Sequence, residues 1–155
     1  MERRHRVKNK AHERHEALLA SKAYQEFHRD AEELSDWIKE KYVTACDESW
    51  RDLTNLLPKL QKHQAFEAEL KANNDRVTTI NQTGDVMMRA EHYASPEIAS
   101  TLQQLNGEWR ELNDKAHDKG LKLRQAAQQV RTALRQGLEA TSSRATDACS
   151  LTTRA

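Results

Sequence analysis

The stretch from Ile98 to Ala133, IASTLQQLNGEWRELNDKAHDKGLKLRQAAQQVRTA, decides the fold. Apolar or small residues recur in it at a 4-3-4-3 spacing: Ile98, Leu102, Leu105, Trp109, Leu112, Ala116, Leu123, Ala126, Val130 and Ala133, with only Lys119 breaking the register. A mean step of about 3.5 residues keeps such a row on one side of an α-helix and winds it slightly around a partner. A stripe sustained for about ten turns belongs to one rod in a bundle of long rods. Such a seam is built for length and helix–helix contact, and it offers no pocket for chemistry.

Two further helical patterns precede it. The first runs through Ala20, Tyr24, Phe27, Ala31, Leu34 and Ile38, with Trp37 widening the stripe, and ends near Ala45. The segment Cys46–Asp52, CDESWRD, has no helical period and several side chains that compete for backbone hydrogen bonds, so it reads as a connection, with Trp50 covering the bundle end. The second pattern spans Leu53 to Met88 and turns inward Leu56 or Leu57, Leu60, His63, Phe66, Leu70, Val77, Ile80 and Met87. Pro58 requires a helix start near Leu57 or a bend there. Gly84 weakens this helix by roughly 1 kcal/mol relative to alanine, and fraying is expected around it. Ser95-Pro96-Glu97 then supplies an N-cap hydroxyl, a proline and an acid to open the third helix, which meets no breaker before Gly137. Val7, Ala11 and Leu18 run straight into the first helix.

The expected architecture is all-α: a left-handed three-helix coiled-coil bundle over residues 18–127, with helices at about 18–45, 53–91 and 95–136 and helical extensions at both ends. Residues 1–17 read as the end of a preceding helix, a partial module. Residues 138–155 lose period and large apolar groups and read as an irregular tail.

Composition agrees with that class and narrows the function. Of 155 residues, 32% are charged and 37% hydrophobic, with only 4 Gly and 2 Pro, which suits long helices better than sheets. The length fits one domain. With 25 basic and 24 acidic residues the chain has no electrostatic drive toward nucleic acid. No run of about 18 apolar residues and no leader-like N-terminus is present, so direct membrane insertion and secretion are not expected. Cys46 and Cys149 lie far apart, in segments read as a loop and a tail, which fits a reducing compartment, the cytoplasm.

Particular segments resemble the spectrin repeat of the spectrin/α-actinin superfamily. FHRDAEELSDWIKEK (Phe27–Lys41) is similar to the family's first helix with its tryptophan at Trp37. LPKLQKHQAFEAEL (Leu57–Leu70) resembles the KHQ-x-FE-x-E segment of the second. HYASPEI (His92–Ile98) resembles the connection between the second and third helices. LNGEWRELNDKAHDKGLKL (Leu105–Leu123) resembles the third helix with its aromatic at Trp109. The wording DAEELSDWI and KLQKHQAFEAEL is most similar to α-spectrins, in a superfamily that also holds β-spectrins. Beyond Val130 no tryptophan-containing first helix of a next repeat follows.

The resemblance implies a non-catalytic structural spacer of a membrane-skeleton, actin-crosslinking protein at the cell cortex. Its partners would be adjacent spectrin repeats, and it would reach actin only through other domains of the parent chain. It also implies an alternative role as an interaction element. Residues 1–17 would be a lone third-helix fragment that pairs with a partial repeat of a β-spectrin-type chain through Val7, Ala11, Arg14 and Leu18. Six Lys or Arg against two Glu in residues 1–15 make that segment either a solvated helix end or a docking surface. An amphipathic lipid-binding bundle is a third class, disfavoured by the near-neutral charge.

The expected core comprises Trp37, Trp109, Phe27, Leu34, Ile38, Leu60, Phe66, Leu70, Leu102, Leu105 and Leu112, with the two tryptophans facing each other. His63 is expected to be a core or boundary histidine with one nitrogen bonded rather than a pH switch. His12-Glu13-Arg14-His15 spaces its histidines by three, not the four of a zinc-protease helix, and Glu2-x-x-His5 is a single copy of a motif that di-iron bundles need twice. No phosphate loop, nucleophile elbow or CxxC is present. No enzyme, cofactor or metal function is expected.

Overall fold

The computed structural model describes the backbone of residues 2–151 and the side chains of residues 3–140. It consists of α1 (Glu2–Cys46), α2 (Leu56–Arg89) and α3 (Ser95–Leu151), with one 3-10 turn at Ser49–Arg51 and no strand among the described residues. The helices run up, down and up. Contacts climb together along α1 and α3, from Ser35–Glu108 to Tyr42–Glu111 to Thr44–Lys119, while Lys41 meets Glu69 on the antiparallel α2. α3 is the shared partner, packed along both other helices.

The core is a set of heptad rows. α1 contributes Phe27, Ala31, Leu34, Ile38 and Ala45; α3 contributes Ile98, Leu102, Leu105, Leu112 and Ala116. On α2 the buried row is strictly sevenfold, Leu56, His63, Leu70, Val77 and Gly84, with Ile80 and Met87 beside it. Leu34 and Leu112 are wholly buried, and each such side chain contributes about 1.5–3 kcal/mol through area removed from water.

Helix ends correct several expectations. α2 starts at Leu56, not Leu53. Asp52 accepts hydrogen bonds from the Thr54 N–H (3.0 Å) and from Lys59 Nζ (2.8 Å), and Asn55 sits in the left-handed region at φ 53°, so residues 52–55 form a turn instead of helix. Pro58 falls inside the first turn, where its missing N–H costs nothing. At the other end α2 stops at Arg89 in a Schellman closure: Glu91 N–H donates to Met88 O (3.1 Å), His92 N–H donates to Met87 O (3.2 Å), and Glu91 takes the left-handed φ of 53° that glycine usually supplies.

Ser95 is the first helical residue of α3 rather than its N-cap. Its hydroxyl donates back to His92 O (2.6 Å), and Ala94 O accepts the first helical bond from Ile98 N–H (2.9 Å). The expected fraying at Gly84 does not occur, because the glycine is buried against α3: a Cβ there would lie 2.7 Å from Leu102 Cδ1. The irregular tail expected for 138–155 is also corrected, since α3 is helical to Leu151. Gly137 does not adopt the left-handed geometry of a stop, and no proline follows. Residues 152–155 lie outside the described residues. Among the described residues no helix is long and apolar enough to cross a membrane.

Candidate functional site

The α1–α3 seam carries the two tryptophans. Their ring centroids lie 6.4 Å apart at an interplanar angle of 32°, with Lys41 Nζ 5.6 Å from the centre of the Trp37 ring. Both indoles are half-buried and lie at the margin of the core, as do Phe66 and Leu60. The centre is held by Phe27, Leu34, Ile38, Leu70, Leu102, Leu105 and Leu112. Trp37 follows from its place beside Ile38, which takes the inward position one helical step on. An indole is also large enough that it is seldom buried completely. Leu57 turns out to solvent and Leu56 inward.

Polar pairs around this seam fix the register between rods. Ser35 Oγ donates to Glu108 Oε2 (2.6 Å), and Asn81 and Asn106 exchange amide hydrogen bonds between α2 and α3 at 2.9 and 2.7 Å. Tyr42 OH donates to Glu111 Oε1 (2.8 Å), which pushes the phenol up to about 12, since ionisation would break that bond beside a carboxylate.

Near the α1–α2 connection the core turns polar. His63 is 5% exposed and sits in the heptad row of α2, facing Gly120 of α3. Its Nε2 lies 3.2 Å from Glu67 Oε1, an ion-pair approach that lacks the full geometry of a hydrogen bond. Burial lowers the imidazole pKa; Glu67 opposes the shift and Lys119 adds to it. Arg124 NH2 lies 3.5 Å from the same Glu67 oxygen, and Lys119 Nζ donates to Thr44 O (2.8 Å), tying α3 to the end of α1. Among the described residues no cluster of His, Cys, Asp or Glu is placed to hold a metal ion.

The opposite end is clamped by His92, a residue whose role no pattern along the chain announced. Its Nδ1 accepts from Ala94 N–H (3.1 Å) and its Nε2 donates to Ala20 O (2.9 Å), with Tyr24 and Tyr93 stacked around the ring. The advance signal was its place in HYASPEI, the segment that resembles the connection between the second and third helices. Below this clamp α1 continues as a bare helix. Val7, Ala11, Arg14 and Leu18 are all exposed. At the other end α3 runs on past the start of α2, exposing Leu134 and Leu138.

The spectrin-repeat family profile matches residues 22–125. The chain is 33% identical over 126 residues to the erythrocytic 1 spectrin alpha chain of Mus musculus, covering 81% of this chain and 5% of that protein. It is 34% identical over 124 residues to the non-erythrocytic 5 spectrin beta chain of Homo sapiens, covering 80% of this chain and 3% of that protein. It is 32% identical over 128 residues to a spectrin beta chain of Drosophila melanogaster, covering 83% of this chain and 6% of that protein. The chain thus spans a small fraction of the length of the curated relatives it matches.

Proposed function

The chain belongs to the spectrin-repeat family, a structural module of the cytoskeleton, and from that premise we propose that it acts as a non-catalytic spacer in a cytoplasmic, cortical membrane-skeleton protein. The observation that carries this reading is α3, one helix that leaves the bundle core after Val130 and continues to Leu151. A rod shared between consecutive modules passes bending and unfolding from one to the next. Actin crosslinking would belong to other domains of a longer protein.

The test is a tandem of two copies joined so that α3 of one continues into α1 of the next, stretched in optical tweezers. Coupled unfolding of the two copies is expected, and Gln136→Pro should separate it into independent events while leaving the melting midpoint of a single copy unchanged. Independent unfolding of the unmutated tandem would remove the mechanism.

A second reading is favoured by the bare start of α1. Residues 3–19 are exposed along one helix, so Val7, Ala11, Arg14 and Leu18 are available to a two-helix partial repeat of a β-spectrin-type chain. Titration of such a fragment by calorimetry decides it: no heat of binding at about 100 μM leaves the spacer alone.

A further inference from the structure

The apolar core is not continuous along the bundle. Its larger cluster ends at Ala45, Leu70 and Ala116. A smaller one gathers Leu56 and Leu60 of α2, Leu123, Ala126 and Val130 of α3, and Trp50 of the connection. Between the two the inward positions are polar. The sevenfold row of α2 places His63 between Leu56 and Leu70. The row Ile98, Leu105 and Leu112 of α3 places Lys119 next, before Ala126. Lys119 is the residue that breaks the apolar register of the sequence, and it is enclosed all the same, its side chain 10% exposed.

These groups form a layer across all three helices. Lys119 Nζ reaches α1, donating to Thr44 O (2.8 Å) and lying 3.7 Å from Asp47 Oδ2. His63 and Glu67 face Gly120, and Arg124 NH2 closes on Glu67 at 3.5 Å. The layer is also loosely filled, with a cavity of about 260 Å³ lined by Thr44, Lys62, His63, Phe66 and Lys119 among others. Apolar packing couples neighbouring turns because side chains touch at close range, and ion pairs beside a cavity supply fewer such contacts. The layer is built within one bundle and has apolar groups on both sides, so it does not depend on what α3 continues into.

We propose that this polar layer divides the bundle into two cooperative units, so that residues 47–62, the connection and the first turns of α2, lift off α3 and reseat as one strap while the lower bundle stays closed. Little holds the strap down: Leu56, Leu60 and Trp50 rest on Leu123, Ala126 and Val130. Its helix begins at Asn55, which sits in the left-handed region and makes no side-chain cap hydrogen bond. Segments with few buried apolar contacts open at a lower free energy than the whole domain. α3 is no part of the strap, so the opening leaves that rod unbroken. The inference rests on the layer itself and holds whether or not the module is a spacer.

Native-state amide hydrogen exchange of the whole chain, followed residue by residue by NMR, tests it. The amides of Leu60, Gln61 and Lys62 should share one opening equilibrium, at least about tenfold more populated than the one that exposes the amides from Leu70 to Ile80. Fraying of a helix end gives instead a gradient that fades smoothly from Leu60 through Leu70. His63→Leu with Lys119→Met makes the layer apolar and should slow exchange at Leu60, Gln61 and Lys62 at least about tenfold, joining them to the rest of α2. If that variant does not fold, the step in the unmutated chain still decides. A single exchange class throughout α2, a smooth gradient, or unchanged exchange at these three amides in the folded variant would each overturn the proposal.

Discussion

His63 of α2 occupies the space that a side chain at position 120 of α3 would need: a Cβ on Gly120 would lie 2.8 Å from His63 Nε2. The buried imidazole is walled in and cannot swing aside as Arg124 and Glu67, the other near neighbours, can. Histidine and glycine therefore form one complementary pair across the seam.

Gly120→Ala should consequently lower stability by about 1–3 kcal/mol through overpacking, although alanine in a helix ordinarily gains up to about 1 kcal/mol over glycine. Gly107, where an added Cβ meets nothing within 4 Å, supplies the control: Gly107→Ala should gain stability. Urea unfolding of both variants decides the matter, and a gain at both positions would contradict the packing described for α2 and α3.

The same imidazole makes the fold sensitive to acid. Burial lowers the His63 pKa in the folded state from its ordinary 6.5, with Lys119 adding to that shift and Glu67 opposing it. Above about pH 6.5 the ring is neutral in the folded and unfolded chain alike and costs nothing. Below it the unfolded chain takes up a proton that the folded chain refuses, so stability drops, by at most about 1.4 kcal/mol per pH unit, until the folded-state pKa is passed. Urea midpoints at pH 7.5 and 5.5 should differ more for the unmutated chain than for His63→Gln; an equal difference would remove His63 as the cause.

Burial sets the order of the core substitutions. Leu112 is wholly enclosed, and Leu112→Ala should cost about 3–5 kcal/mol. Trp109, half-buried against Trp37, should cost about 2–3 kcal/mol when truncated, because part of its ring is already in water. Thermal melts of the two variants check this, with a larger loss for Trp109→Ala as the contrary result.

At the end of α2, Glu91 holds the left-handed φ of 53° that closes the helix. Glu91→Gly should stabilise the chain by about 1 kcal/mol, since the side chain is strained there and glycine is not. A loss in urea midpoint would mean that the Schellman closure is absent in solution.

What the sequence made legible follows from periodicity. Ile98, Leu102, Leu105 and Leu112, and Phe27, Leu34 and Ile38, announce their helices and their inward faces, because large apolar groups recurring every seven residues line up along one side of a helix and must be buried there. The row Leu56, His63, Leu70, Val77 and Gly84 carries the same period, but two members are not large and apolar. Gly84 therefore looked like a weak point, when it is the place where Leu102 comes close. Its meaning lies in a residue on another helix, beyond the reach of a pattern along one. Glu91 gave no stop signal because the stop is made by backbone geometry rather than by a typical residue. The stretch after Gly137 was misjudged for the converse reason, since a glycine without left-handed geometry does not end a helix.

The central claim is that α3 leaves the bundle as one unbroken rod. Spin labels at Gly107→Cys and Gln136→Cys, in a chain with Cys46→Ser and Cys149→Ser, measure it directly by double electron–electron resonance. A continuous helix predicts one narrow distance distribution centred at about 44 Å, from 1.5 Å per residue. A broad distribution at shorter distances would mean that α3 breaks at the bundle end, and the mechanical coupling between modules would have no carrier.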